Sequence, residues 1–149
     1  MAEAKSFRQL LGVPPSTASP SDSALVIIDA QEEYASGLLA VSNAPSSSAA
    51  IASLLDRYRA AKAPLVHILH QVPEGAPVFT PGKPLAEEMD AVKAKSGEKV
   101  VHKQHPGSFA GTELQKWLDG QGVKKVVLAG YMVSFLLVVT EVLGWISGC

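Results

Sequence analysis

Continuous runs of apolar residues mark the strands of this sequence. The first run, residues 24–28, stands between polar segments and is followed directly by Asp29. Apolar runs without polar alternation are typical of strands that are buried on both faces in a parallel sheet. Three later segments have the same character: residues 65–69, 100–101 and 123–129. The pattern predicts four strands of one parallel sheet.

Between these runs, apolar residues recur at helical spacing. Three segments predict helices: residues 46–62, 84–95 and 112–118. In the first of them, Ile51, Leu55 and Tyr58 fall on one face, and serines 46–48 can cap its start. Residues 75–84 hold three prolines and two glycines and predict a loop. Strands that alternate with helices predict an α/β fold with a Rossmann-like sheet.

Composition narrows the class of protein. The chain has 149 residues, of which 47% are hydrophobic, with 13 basic and 14 acidic side chains and a net charge of −1. Such a chain can bury a core, and without a basic excess we expect neither nucleic acid nor a membrane as its partner. Its single cysteine, Cys149, cannot form an internal disulfide.

The first 23 residues are rich in alanine, serine and proline and lack the apolar stretch of a signal peptide. We therefore expect a cytoplasmic protein. We interpret residues 1–23 as an extended arm that packs on the domain through Phe7, Leu10 and Leu11.

Reactive side chains follow three of the predicted strands. Asp29 ends the first strand, Lys103 follows the short third strand, and Gly130 with Tyr131 follows the last one. Because ligands of open α/β sheets bind at the carboxyl ends of the strands, we expect these residues to border one site. Each signal alone also fits a capped turn or a solvated lysine.

Residues 24–132 resemble the isochorismatase-like cysteine hydrolases over more than a hundred residues in the same order. The resemblance rests on these segments: Asp29-Ala30-Gln31, Gly37-Leu38-Leu39, Val41-Ser42-Asn43, Pro64-Leu65-Val66-His67 with His70, Val78-Phe79-Thr80-Pro81-Gly82, Lys103, Ser108-Phe109, Thr112-Glu113-Leu114 and Val127 to Met132. The resemblance implies a three-layer αβα fold and an active site built on an aspartate, a lysine and a cysteine.

The resemblance assigns catalytic roles to Asp29, as general acid or base, and to Lys103, which balances its charge. The family's nucleophilic cysteine would fall four residues after Met132, where this chain has Leu136. Residues 133–149 do not resemble the family and are expected to lack its last strands. A retained intron, a frameshift and a genuine variant end all remain open. Cys149, 13 positions further on, is not expected to be catalytic.

The same resemblance gives candidates for binding the substrate: Gln31, His70, Phe79, Phe109 and Tyr131. An ordinary strand end explains His70 equally well, and core packing explains the two phenylalanines. Histidines also occur three residues apart, at 67 and 70 and at 102 and 105. Residues three apart on a strand point to opposite faces, so the two histidines of a pair cannot easily share a metal ion, and we predict no metal. We also predict no cofactor.

We therefore expect a hydrolase that cleaves a small-molecule vinyl ether of the isochorismate type, or an amide bond. Its activity is expected to be impaired by the missing cysteine, although by resemblance the vinyl-ether reaction needs only Asp29 and Lys103. The alternative is a non-catalytic relative that acts by binding. The resemblance also makes a homo-oligomer an open possibility.

Overall fold

A computed structural model describes residues 7–12, 14 and 17–132 of the chain. The interpretation of residues 133–149, including the roles given to Leu136 and Cys149, concerns positions outside this part. The side chain of Phe7 also lies outside it.

Four parallel strands form one sheet. They are β1 (Ser23–Ile28), β2 (Leu65–His70), β3 (Lys99–Lys103) and β4 (Lys125–Gly130), in the spatial order β3-β2-β1-β4. Every residue of β1 is buried, as the continuous apolar run predicts. The prediction of a parallel α/β sheet is confirmed. Strand β3 is longer than the two residues expected, and β4 begins two residues later and ends one residue later than expected.

Four α-helices and two 3-10 helices accompany the sheet. The α-helices are α1 (Phe7–Leu10), α2 (Glu33–Ser36), α3 (Ala44–Ala60) and α4 (Leu114–Gly120), and the 3-10 helices are Pro84–Ala86 and Asp90–Val92. The helices predicted over 46–62 and 112–118 are present as α3 and α4 with shifted ends. Asn43 rather than a serine precedes α3, and Pro45 occupies its first turn.

The helix predicted over residues 84–95 is wrong. Between the two 3-10 helices the backbone is extended, and Glu88 forms an antiparallel bridge with Gln31. The backbone amide of Met89 donates to the carbonyl of Ala30, 2.9 Å away. The backbone groups of this segment are therefore hydrogen-bonded to residues 30 and 31, and they are not available for the hydrogen bonds of a continuous helix.

Helices cover both faces of the sheet. Because side chains alternate along a strand, Leu25 and Ile27 pack on one face in the same core cluster as Leu55 of α3. Val26 and Ile28 belong to a second cluster on the other face, which includes the buried residues of α4. This confirms the three-layer αβα arrangement.

The N-terminal arm does not pack as expected. Leu10 is 68% exposed and Leu11 is 61% exposed. The structure forms the four-residue helix α1 here, which is too short to bury a continuous apolar face. The expectation that these leucines fasten the arm to the domain is therefore wrong.

None of the helices in the described part of the chain is both long and apolar enough to cross a bilayer.

Candidate active site

One cavity receives a residue from the carboxyl end of every strand. Asp29 comes directly after β1, His70 ends β2, Lys103 ends β3 and Met132 lies two residues beyond β4. The cavity has a volume of about 180 Å³ and is lined by Asp29, Tyr34, His70, Phe79, Lys103, Pro106 and Met132. The structure thus brings together four of the predicted site residues: Asp29, His70, Phe79 and Lys103.

A buried ion pair lies at the centre of this cavity. The Lys103 ammonium is 2.8 Å from Oδ2 of Asp29, and these side chains are 2% and 5% exposed. Lys103 also donates to the carbonyl of Pro106, 3.0 Å away. The other carboxylate oxygen of Asp29, Oδ1, is buried and has no hydrogen-bond partner among the described residues. It is therefore a buried oxygen atom at the cavity whose hydrogen-bonding capacity the described part of the chain does not use.

The backbone fixes the direction of the Asp29 side chain. Asp29 has a φ of +51°, a left-handed conformation that is uncommon outside glycine, asparagine and aspartate. Its amide donates to the carbonyl of Ile68 on β2, and its carbonyl accepts from the amide of Gln31 at 2.8 Å. These contacts hold the turn at the end of β1 in place.

Burial dominates the electrostatics of the site. It raises the pKa of Asp29 from 3.8 to about 6, and the positive charge and hydrogen bond of Lys103 offset only part of that rise. Burial also lowers the pKa of His70, and the charges of Lys103 and His105 add to that effect. The site therefore combines a carboxyl group whose pKa is raised towards neutrality with a histidine that favours its neutral form.

Aromatic rings form one wall of the cavity. The ring of Phe79 meets His70 edge to face, with centroids 5.2 Å apart, and lies 5.5 Å from the ring of Tyr34. Tyr34 was not among the predicted site residues. The signal that could have found it is an aromatic residue five positions after Asp29, in the turn that follows a strand end.

Gln31 was predicted to bind substrate, but the structure gives it a different role. Its side chain is completely buried and does not line the cavity. Its amide exchanges two hydrogen bonds with the backbone of His70, at 2.9 and 3.0 Å, and donates to the carbonyl of Ala86 at 2.7 Å. Gln31 therefore joins the end of β2 to the first 3-10 helix.

Phe109 and Tyr131 also lie outside the cavity lining. Phe109 is half-buried and packs against the core cluster on the α4 side of the sheet. Tyr131 lies behind Tyr34, with the rings stacked at 5.1 Å, and its hydroxyl is hydrogen-bonded to Ser47 at 2.8 Å. These two residues do not border the cavity in this structure, and their contact with a substrate stays a prediction.

A larger groove of about 540 Å³ lies at the amino ends of β2 and β3, away from this chemistry. Two of its charged residues, Arg59 and Lys99, pair with Glu98 and Glu113. In the described part of the chain, no group of three or more histidine, cysteine, aspartate or glutamate side chains comes together to hold a metal ion.

Comparisons with known proteins point to one family. The isochorismatase domain family matches residues 23–136. A secreted isochorismatase effector of Verticillium dahliae is 61% identical over 85% of this chain and 67% of its own length. Among solved structures, an isochorismatase from Pseudomonas putida KT2440 has a TM-score of 0.81 and 30% identity over 95% of this chain and 75% of its own.

A more distant solved structure carries a different activity in its name. The N-carbamoylsarcosine amidase of Thermoplasma acidophilum has a TM-score of 0.66 and 25% identity over 73% of this chain and 67% of its own. The chain therefore spans about two thirds to three quarters of the length of these three relatives.

The comparisons also correct one expectation. The chain was expected to be cytoplasmic because residues 1–23 lack the features of a signal peptide. The Verticillium relative, which is 61% identical, is described as secreted. The cytoplasmic prediction is therefore wrong, since the absence of that one sequence feature does not identify the compartment.

Proposed function

The chain belongs to the isochorismatase family, and from that premise we propose that it hydrolyses a small molecule in the cavity between Asp29 and Lys103. The observation that carries this proposal is the buried contact of 2.8 Å between their charged groups. The unpartnered Oδ1 of Asp29 supports it, because a proton on this oxygen would be available to a bound substrate.

We propose that the substrate is a vinyl ether of the isochorismate type. Asp29, with its pKa raised to about 6, gives its proton to the terminal carbon of the carbon–carbon double bond. The resulting oxocarbenium ion takes up water, which returns a proton to the carboxylate of Asp29 as it forms the hemiketal. The carbon–oxygen bond of the hemiketal then breaks while its hydroxyl proton passes to the leaving oxygen, which releases a ketone and an alcohol. Lys103 stabilises the carboxylate of Asp29 once the proton has left.

The sequence favours this reaction over amide hydrolysis. An amide requires a nucleophile that attacks its carbonyl carbon, and the family resemblance matches Leu136 to the nucleophilic cysteine. A leucine side chain cannot form an acyl intermediate. Protonation of a vinyl ether needs only an acid and water, and both Asp29 and its charge partner Lys103 border the cavity.

The test is release of pyruvate from isochorismate by the purified 149-residue chain, followed with lactate dehydrogenase and NADH. We expect turnover that falls by about 100-fold or more in Asp29→Asn. The matched control is Asp56→Asn, since Asp56 is an exposed residue of α3. A folded protein that releases no pyruvate would contradict the proposal and favour a non-catalytic binding protein.

We further propose that the protein acts outside the cell. The secreted Verticillium relative supports this location. An antibody against the chain should detect it in the culture filtrate of the source organism, while a cytosolic marker enzyme stays in the cell pellet. Detection in the pellet alone would contradict this part of the proposal.

A further inference from the structure

Tyr34 has a hydroxyl group that makes no hydrogen bond within the described part of the chain. The chain has three tyrosines. The hydroxyl of Tyr58 is hydrogen-bonded to Ser23 at 2.6 Å, and that of Tyr131 to Ser47 at 2.8 Å. Among the residues that the structure describes, Tyr34 has ring contacts but no hydrogen bond to its hydroxyl. A side chain in a cavity wall whose ring is packed but whose hydroxyl has no hydrogen-bond partner is a candidate for contact with a ligand.

The ring of Tyr34 is held firmly in the cavity wall. It stacks on Tyr131 with an interplanar angle of 8° and meets Phe79 at 49°. The residue is only 7% exposed. Because packing fixes the ring, little side-chain freedom is lost when its hydroxyl binds a ligand.

The hydroxyl of Tyr34 stays a hydrogen-bond donor at all ordinary pH values. Burial raises its pKa from 10.0 to about 12, and the negative charges of Asp29 and Glu33 add to the rise. Lys103 borders the same cavity and can supply a second donor. Its ammonium has three N–H groups, and residues in the described part of the chain accept hydrogen bonds from two of them.

We propose that the hydroxyl of Tyr34 and the remaining N–H of Lys103 together bind an oxyanion of the substrate, which is therefore a small molecule that carries a carboxylate group. The flat part of such a molecule would pack against the Phe79 ring, and the cavity volume of about 180 Å³ restricts its size. This inference rests on the proposed function, since it places the substrate beside Asp29. It adds the chemical group that the site recognises.

Binding of two probe molecules tests this independently of turnover. Benzoate and benzamide have the same shape, but only benzoate carries the negative charge. We expect the wild-type chain to bind benzoate about tenfold more tightly than benzamide in ligand-observed NMR titrations. In Tyr34→Phe, which keeps the ring and removes the hydroxyl, we expect most of that preference to be lost.

Tyr58→Phe is the matched control, because it removes a hydroxyl that faces Ser23 at the start of β1. It should leave the preference for benzoate unchanged. Equal binding of the two probes to the wild type, or an unchanged preference in Tyr34→Phe, would overturn the inference.

The two proposals fail separately. If pyruvate is released from isochorismate but benzoate shows no preference, the proposed function stands and the oxyanion site does not. If the benzoate preference depends on Tyr34 but no pyruvate is released, the oxyanion site stands without the reaction.

With isochorismate itself, Tyr34→Phe should raise KM about tenfold and change kcat little. The reason is that losing a hydrogen bond to the substrate carboxylate weakens the binding of the substrate and of the transition state by the same amount.

Discussion

Asp29 experiences two opposing influences on its ionisation. Burial raises its pKa, and the Lys103 ammonium 2.8 Å away lowers it. Because burial is the larger influence, the pKa is about 6. A general acid works best when its pKa lies near the working pH, since it then holds its proton and can still give it up.

The pH dependence of kcat/KM should therefore report on Asp29. The protonated acid predominates below its pKa of about 6 and is lost above it. We expect kcat/KM for isochorismate to fall about tenfold for each pH unit above that value. The measurement is a series of initial rates between pH 4 and 9.

Lys103→Met tests the cause of this behaviour. Removing the ammonium takes away the influence that lowers the pKa, so the falling limb should move to higher pH. Lys116→Met is the control, because Lys116 lies on α4 away from the cavity lining. A limb that stays in place in Lys103→Met would show that another group controls the pH dependence.

At the scale of single residues, the sequence predicted the charged groups better than the neutral ones. The sequence predicted that Asp29 and Lys103 lie close together, because the carboxyl ends of parallel strands meet at one edge of the sheet. This prediction does not depend on the exact direction of either side chain. Gln31 does not line the cavity, and the sequence could not show this because the direction of its side chain depends on the turn that starts at Asp29 with positive φ. The position of Tyr34 in the cavity wall depends on the packing of three aromatic rings, which no local pattern encodes.

At the scale of elements, the strands were predictable and the segment after residue 83 was not. A strand buried on both faces leaves a continuous apolar run in the sequence, as β1 does. The segment over residues 84–95 is instead shaped by distant partners. Glu88 bonds to His67 at 2.7 Å, and its backbone pairs with Gln31. Such non-local contacts override helical spacing.

Gln31 should matter for stability because it joins β2 to the first 3-10 helix. Gln31→Leu removes three hydrogen bonds and takes away these partners from half-buried backbone groups of His70 and Ala86. We expect the free energy of unfolding in urea to fall by about 2–3 kcal/mol. Gln115→Leu, which loses only an exposed hydrogen bond to Asp119, should change it by less than about 0.5 kcal/mol.

The close approach of β4 to β1 depends on a glycine. Gly130 has a φ of +138°, and a Cβ there would lie 1.9 Å from the carbonyl oxygen of Ile28. Gly130→Ala must therefore force the two strands apart. We expect it to lower the free energy of unfolding by about 3 kcal/mol, measured by urea denaturation.

Gly120→Ala provides the contrasting substitution. Gly120 is the last residue of α4, and a Cβ there would have no atom within 4 Å. Alanine should stabilise the helix by about 0.5–1 kcal/mol. If the two variants were equally stable, the close contact between the strands would not be the reason for a glycine at position 130.

At the scale of the whole molecule, a network of charged and polar side chains links segments that are far apart in the sequence. Arg59 of α3 binds Glu98 through two hydrogen bonds of 2.7 and 2.9 Å. Glu98 lies 3.2 Å from Nε2 of His67, whose Nδ1 contacts Glu88. Helix α3, strand β2 and the segment before β3 are thereby held together. Glu98 and Asp29 make the stability of the fold depend on pH in opposite directions.

The hydrogen bonds of Arg59 hold the pKa of Glu98 down from 4.5 to about 2. Glu98 therefore contributes stability above pH 4.5, and that contribution is lost as the pH falls towards 2. Asp29 acts in the opposite sense. Its raised pKa favours folding below pH 3.8, and this contribution is lost as the pH rises through about 6.

The combined contribution of Glu98 and Asp29 to the free energy of unfolding should consequently be greatest at about pH 4–5. Urea denaturation between pH 2.5 and 8 measures it. In Arg59→Met the loss of stability below pH 4.5 should become shallower, because Glu98 then keeps an ordinary pKa in the folded state. Arg57→Met, at an exposed position of the same helix, should keep the wild-type slope. The lowered pKa of His70 acts in the opposite sense to Asp29 over part of this range, so the contribution of Asp29 is obtained from the difference between the wild type and Asp29→Asn. If the wild type loses no stability relative to Asp29→Asn as the pH rises through about 6, the raised pKa of Asp29 is contradicted.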